Sequence, residues 1–303
     1  MKSYDLIIIG GGICGMTAAI YAARANLNVC ILEKQVCGGL VNWTNTVENL
    51  PSYPVIHGID LMEKCRDHTE SLGVAIEEID EVTSVDFSGG IKKLSTSMGE
   101  EYEAPAVIIA TGRKPRPFPV ETDFPNVHYC SVCDGTPYKG KRVIVVGGGN
   151  SGFDETLYLL DLGIDHVHIV ETFPSCAAAP ATQDQVHSTG KVQVSVSTDI
   201  TSVDTLPSGR GLVHLHDKER GEDYTEEVDG IFCFIGQAPS TSLFEGLLNM
   251  DKGYIVVNAD METSIPGIFA AGDVTVKKYR QITTAMSDGT IAALQAASWL
   301  RSR

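Results

Sequence analysis

The sequence predicts an α/β fold of two parallel-sheet domains, the first discontinuous and the second inserted into it. Three observations predict this. Residues 4–34 run through an apolar stretch, a glycine-rich loop, an alanine-rich helical stretch, a second apolar stretch and an acid, and the same order returns at residues 143–171. A third apolar run, 107–112, closes on a small-residue turn. A fourth, 267–273, ends in Gly-Asp before a helical stretch over 285–300. Short apolar runs alternating with helical stretches are the pattern of parallel strands joined by helices.

In the first motif a strand over 4–9 leads into Gly10-Gly11-Gly12-Ile13-Cys14-Gly15, a helix over 16–25 and a strand over 28–32 that ends on Glu33-Lys34. Glu33 lies 18 residues past Gly15, so G-x-G-x-x-G stands in its full strand–helix–strand–acid context. Gly10 permits a tight turn, Gly12 lets backbone approach a pyrophosphate, and Gly15 lets helix and strand pack closely. The helix N-terminus offers free N–H donors and a partial positive charge, and Glu33 can accept from a ribose hydroxyl. This is a Rossmann-like dinucleotide-binding motif. The second copy has a strand over 143–146, the loop Gly147-Gly148-Gly149-Asn150-Ser151-Gly152, a helix over 153–162 and a strand over 167–170, with Glu171 19 residues past Gly152. Two such folds imply two cofactors facing each other, or one cofactor and one vestige. The runs at 107–112 and 267–273 belong with the first fold. The domains are therefore expected at 1–113 with 242–303, and at 114–241. Pro115, Pro117 and Pro119 stiffen one crossing, and Gly236 and Pro239 mark the other.

A chain of 303 residues suffices for two ordinary domains, and 43% hydrophobic residues with 30 glycines and 13 prolines fit a globular protein. The net charge of −16 argues against nucleic acid and against an anionic membrane surface as partners. No stretch reaches the roughly 18 apolar residues of a membrane span. The N-terminal apolar run is too short for a signal core, so a soluble, cytoplasmic protein is expected. Eight cysteines with one close pair do not make a secreted disulfide framework. Lone ones such as Cys30 and Cys233, inside apolar runs, read as small buried hydrophobes.

The close pair lies in His-Tyr-Cys-Ser-Val-Cys-Asp-Gly, residues 128–135. A metal clip needs a second ligand pair. His166 with His168, and His214 with His216, alternate along strand-like runs, but there is no second C-x-x-C. A permanent structural disulfide fits poorly with a reducing compartment and so short a loop. A redox pair is favoured, because a C-x-x-C setting lowers a thiol pKa and the thiolate is the species that attacks a disulfide. His128 and Tyr129 read as packing residues.

With these residues in view, the chain resembles the low-molecular-weight thioredoxin reductases, flavoproteins of the pyridine nucleotide-disulfide oxidoreductase superfamily, over almost its full length. The carriers are Gly10 to Gly15, Gly38-Gly39, Val47-Glu48-Asn49, Ala110-Thr111-Gly112, Cys130 to Gly135, Gly147 to Gly152, Ala271-Gly272-Asp273 and Tyr279-Arg280-Gln281. The resemblance implies FAD in the first domain. Gly10, Gly12, Ile13, Cys14 and Gly15 would lie along its pyrophosphate, and Glu33 with Lys34 at the adenosine ribose. Asp273, after Gly272, would take the ribityl or pyrophosphate region. Arg280, Gln281 and Ile282 would lie along the flavin. Gly39, Asn49, Thr111 and Gly112 complete the set, with Asn49 near the isoalloxazine. Leu40 stands where the family commonly has Gln, and Val41-Asn42-Trp43 is poorer in Thr than usual. By the same resemblance Cys133 faces the flavin, Cys130 attacks a thioredoxin disulfide, Asp134 passes a proton, and the protein is a homodimer; with the thiol pair in the inserted domain and the flavin in the other, the layout then predicts that the domains rotate between half-reactions.

The expected electron donor departs from the family. NADPH-linked members carry H-R-R-x-x-x-R after the second strand of the inserted domain, whereas this chain has Glu171-Thr172-Phe173-Pro174-Ser175-Cys176-Ala177 there. No Lys or Arg occurs from 143 to 190. Charge-assisted hydrogen bonds contribute about 1.5–3 kcal/mol each, so losing two costs roughly 3–6 kcal/mol, on the order of 10² to 10⁴ in affinity. NADPH is thus disfavoured. NADH remains open, with Glu171 on its 2′-hydroxyl and Gly147, Gly149, Asn150, Ser151 and Gly152 as its loop. So does another donor, reduced ferredoxin or a deazaflavin, as in some atypical thioredoxin reductases. The function expected is electron transfer from FAD through Cys130 and Cys133 to thioredoxin. The alternatives are a dithiol oxidase that uses oxygen and a non-catalytic flavin-binding module.

Overall fold

The computed structural model of the chain describes residues 1–44 and 46–303. They form two compact units, Met1–Lys114 with Ala238–Arg303, and Pro115–Gln237. The return crossing falls four residues before the boundary expected from the sequence. Ser240 N–H bonds Gly112 O (3.0 Å), and Thr241 Oγ1 bonds Gly253 O (2.7 Å), both within the first unit.

The first unit holds a five-stranded sheet in the order Ile268–Ala270, Ala106–Ile109, Leu6–Ile9, Val29–Leu32, Ala75–Glu77, all parallel. Its central strands are apolar at every position because both faces are covered. Leu6 and Ile8 pack with the helices Ile13–Arg24, Gly58–Ser71 and Ile282–Arg301. Ile7 and Ile9 pack on the other side with Leu94, Tyr102 and Phe244. That second face is covered by a four-stranded sheet, Lys2–Ser3, Glu101–Ala104, Lys92–Thr96, Val82–Asp86, which the sequence reading did not identify. The first helix begins at Ile13, earlier than expected, because the end of the glycine loop is already helical. It crosses the last helix closely. A Cβ on Gly289 would lie 2.4 Å from Cys14 O, so only glycine permits that approach.

The second unit repeats the plan. Its parallel sheet runs Val127–His128, Gly230–Cys233, Arg142–Val146, His166–Val170, Val192–Ser195. Val143 and Val145 face the helices Asn150–Asp161 and Pro180–Ser188. Ile144 and Val146 face an antiparallel sheet of Thr198–Thr205, Gly211–Asp217 and Glu222–Val228. Among the described residues no helix is long and apolar enough to cross a membrane.

Candidate functional site

In the first unit the glycine loop is shaped by contacts that exclude side chains. Gly10 has φ +110°, and a Cβ there would lie 2.4 Å from Ala110 O. A Cβ on Gly15 would lie 1.9 Å from Gly10 O. Gly12 differs: nothing stands within 4 Å of its would-be Cβ, and it is the N-cap of the first helix with no side chain capping it. Gly12 bridges to Gly38, and the Gly38 N–H donates to Gly11 O (2.9 Å). A Cβ on Gly39, which has φ +59°, would sit 3.5 Å from Gly12 Cα. Two glycine turns thus frame an open helix N-terminus carrying Ile13 and the buried Cys14. Glu33 closes the other side. Its Oε2 accepts from Gly11 N–H (2.7 Å) and its Oε1 from Gln35 N–H (2.9 Å), while Lys34 is exposed.

The remaining candidates lie in the same unit, some of them against the glycine loop: a Cβ on Gly10 would lie 3.1 Å from Thr111 N, and one on Gly272 3.0 Å from Cys14 Sγ. Thr111 Oγ1 donates to Ser240 O (2.7 Å), and Gly112 turns the chain at φ +63°. Asp273 Oδ2 accepts from Arg113 Nε and Nη2 (3.2 and 3.1 Å), but its Oδ1 is buried without a partner. Arg280 lies over the Tyr254 ring (4.3 Å), donates to Thr275 O, and leaves Nε buried and unpaired. Gln281 forms a capping box with Thr284 at the start of the Ile282–Arg301 helix, and its Oε1 accepts from Asn49 Nδ2 (3.3 Å). Buried polar atoms are normally paired, so an orphan acceptor on Asp273 and an orphan donor on Arg280 fit a bound polar group. With the open Gly12 cradle they suit a flavin dinucleotide. The sequence reading missed Arg113, Tyr254, and the Lys277–Asp288 ion pair. Asp288 Oδ2 also accepts from Gly272 N–H (3.1 Å), which positions the turn into Asp273. Their signal was absent because each acts through a neighbour distant in sequence.

The second unit carries the same loop geometry. Gly147 has φ +116°, a Cβ on Gly152 would lie 1.9 Å from Gly147 O, and Gly149 is open. Glu171, only 8% exposed, accepts from Gly148 N–H (2.6 Å) and Phe173 N–H (2.9 Å). Ala177 and Ala178 N–H donate to Gly148 O, and Ala179 N–H to Asn150 Oδ1 (2.8 Å), while Ser151 is exposed. The fold also supplies a cation invisible in the 143–190 stretch. Lys218 Nζ reaches Thr172 O (2.6 Å), but Asp199 Oδ1 neutralises it at 3.0 Å.

Cys130 and Cys133 form a disulfide. Cys130 is the N-cap of the turn Ser131–Asp134, and its Sγ accepts from Cys133 N–H (3.1 Å). Cys130 is buried and Cys133 exposed. The turn rests on the Asn150–Asp161 helix and its C-cap, where a Cβ on Gly135 would meet Leu159 Cδ2 at 3.1 Å and Leu162 Cδ1 at 2.7 Å. Asp134 Oδ2 lies 3.3 Å from His128 Nδ1. His128, read from the sequence as packing, therefore has a polar role as well, and burial holds its pKa below the usual imidazole value against the pull of Asp134. Of the four histidines weighed as metal ligands, three face carboxylates: His168 lies between Glu226 (2.6 Å) and Ser195 (2.8 Å), His214 meets Asp204 and His216 meets Asp223, while His166 leaves Nε2 buried and unpaired. Burial pushes the lone thiols up, Cys30 to about 12 and Cys233 to about 11, as inert core cysteines require.

Residues 4–289 match the pyridine nucleotide-disulphide oxidoreductase family. The chain is 40% identical to the "34.2 kDa protein in rubredoxin operon" of Clostridium pasteurianum, over 99% of this chain and 98% of that one. It is 38% identical to the thioredoxin reductase of Bacillus subtilis, over 96% and 93%. The crystal structure of Lactococcus lactis thioredoxin reductase superposes with a TM-score of 0.90 at 33% identity, covering 99% of this chain and all of that one, 100%. The chain belongs to the pyridine nucleotide-disulphide oxidoreductase family, as an FAD-dependent disulfide oxidoreductase of the thioredoxin reductase type.

Proposed function

We propose that Cys130 and Cys133 carry electrons from FAD to the disulfide of a thioredoxin, and that the donor to the flavin is not NADPH. The observation that carries this reading is the disulfide itself, set in one turn with Asp134. FAD, when bound, supplies an electron pair to a disulfide. Gly10, Gly12, Gly15 and Glu33 would hold its dinucleotide portion, and Asp273 and Arg280 would offer it their unpaired atoms. Cys133 receives the pair, the Cys130–Cys133 bond breaks, and Asp134 supplies a proton at sulfur. Cys130 then attacks the partner disulfide as a thiolate, and Cys133 resolves the mixed disulfide. Because Cys130 is buried, a movement that uncovers it precedes that attack. Relatives named thioredoxin reductase support the partner.

The donor reading rests on the end of the His166–Val170 strand. Glu171 spends both oxygens on backbone N–H groups and Lys218 is taken by Asp199, so no cation there awaits a 2′-phosphate. NADH and a reduced iron–sulfur protein such as ferredoxin remain, and the relative from a rubredoxin operon fits the second. Anaerobic mixing of the FAD-loaded protein with NADH, NADPH or reduced ferredoxin, followed by flavin bleaching, tests this. Bleaching fastest with NADPH would overturn it. Retention of thioredoxin reduction by Cys130→Ser would overturn the disulfide route.

A further inference from the structure

The hydrogen-bonded chain that starts at Asp134 does not stop at His128. His128 Nε2 lies 2.7 Å from the Tyr138 hydroxyl, so Asp134, His128 and Tyr138 form one line of polar groups leading away from the disulfide turn. The line is rigidly framed. His128 packs against Phe232 (5.1 Å between ring centroids) and edge-on to Tyr138 (5.3 Å). Tyr138 meets Phe232 edge-on (5.5 Å), and a Cβ on Gly230 would lie 2.5 Å from Tyr138 Cε1, so the ring fits only over glycine. Tyr138 is 5% exposed, the His128 side chain 18%, and Asp134 41%. The line thus runs from solvent-facing carboxylate to buried phenol. The other charges near it are Lys141, whose Nζ stands 5.3 Å over the Tyr138 ring, and Asp229, which with burial and Asp134 pushes the phenol up to about 12. A phenol so held keeps its proton, yet its oxygen can donate to Nε2 or accept from it. His128 is therefore able to gain and lose a proton at Nδ1 while keeping Tyr138 as the partner of Nε2.

We propose that His128 is a positioning residue and proton store for the disulfide: it orients Asp134 and passes a proton through it to the departing sulfur, while Tyr138 holds the imidazole in either protonation state. This rests on the reading of Cys130 and Cys133 as the redox pair. With dithiothreitol as reductant the step balances as follows. The protein S–S bond breaks and one forms in the reagent, which gives up two electrons and two thiol protons. Both electrons go to the cysteine sulfurs. One sulfur takes its proton from Asp134, which takes it from Nδ1 of the His128 imidazolium, leaving neutral His128 with Nε2–H facing Tyr138. The other sulfur is protonated from solvent, and solvent recharges His128, so two protons leave the reagent and two enter the protein pool.

The test is the rate of disulfide reduction in the full-length, FAD-loaded protein, followed anaerobically by quenching with iodoacetamide and counting alkylated thiols by mass. Wild type, His128→Asn and Tyr138→Phe are compared from pH 5 to 8. The ratio of wild-type to variant rate at each pH cancels the ionisation of the reagent. Wild type is expected to gain on His128→Asn as pH falls below about 6.5, by about tenfold, under the range for a directly acting general acid because the relay acts through Asp134. Tyr138→Phe is expected to keep the rise and shift its midpoint. A ratio that stays flat across the range overturns the relay, since a merely structural role lowers the rate equally at every pH. Failure of the parent reading looks different: two thiols would then not appear on reduction, or Cys130→Ser would still reduce thioredoxin.

Discussion

Replacing Asp288 by alanine tests whether a residue outside the glycine motifs governs the FAD site proposed for the first unit. Asp288 Oδ2 accepts from Gly272 N–H and pairs with Lys277 Nζ, and the two side chains are only 14% and 15% exposed. Asp288→Ala leaves a mostly buried ammonium without its counter-charge and a backbone N–H without its acceptor. Removing one partner of a fully buried pair costs about 3–5 kcal/mol. The flexible Lys277 stem recovers part of that by reaching for water, and the lost N–H bond adds about 1 kcal/mol, so a net destabilisation of roughly 3 kcal/mol is expected. Lys277→Met removes the charge instead and is expected to cost about half as much, with the double variant better than Asp288→Ala alone. Urea unfolding of the FAD-free protein, followed by circular dichroism, measures the cycle. FAD binding is then read by quenching of flavin fluorescence. Gly272 leads directly into Asp273, so Asp288→Ala is also expected to weaken FAD binding by roughly tenfold, as for loss of one charge-assisted hydrogen bond. A change under about 0.5 kcal/mol, the size usual for an inert surface substitution, together with unaltered FAD binding, would refute the reasoning.

Three further outcomes are expected. Gly12→Ala leaves the FAD-free fold intact, because nothing stands within 4 Å of the new Cβ, yet weakens FAD binding by titration; Gly15→Ala, meeting Gly10 O at 1.9 Å, destabilises the fold itself by calorimetry. NADPH binds more weakly than NADH, by roughly 10² or more, in a fluorescence titration, and a tighter NADPH complex would contradict the role given to Glu171. Burial lowers both His128 and His166, so the folded state favours their neutral forms; the stability they contribute is whole above the unfolded value near 6.5 and is lost as pH falls from there through their lower folded values, and His128→Asn with His166→Asn should flatten that slope in urea midpoints.

The glycine loops were legible because they are local. Gly10 and Gly147 need positive φ, Gly15 and Gly152 need a missing side chain, and the strand, helix and acid that give those needs meaning lie within some thirty residues on the same chain segment. The second sheet of the first unit was not legible in its strands, since Val82–Asp86 and Lys92–Thr96 mix exposed polar with buried positions, although Gly89-Gly90 and Gly99 mark the turns before and after the second of them. His128 was read as packing for a similar reason. An imidazole beside aromatic neighbours looks like core until the turns that follow its strand bring Asp134 and Tyr138 back onto it.

By itself the sequence determined where backbone must approach backbone or a phosphate, because glycine requirements and alternating apolar runs are properties of contiguous residues. Only the tertiary structure decided which charges meet. Arg113 with Asp273, Lys277 with Asp288 and Lys218 with Asp199 are joined by folding, and a side chain's partner is set by where the chain returns rather than by its neighbours in sequence.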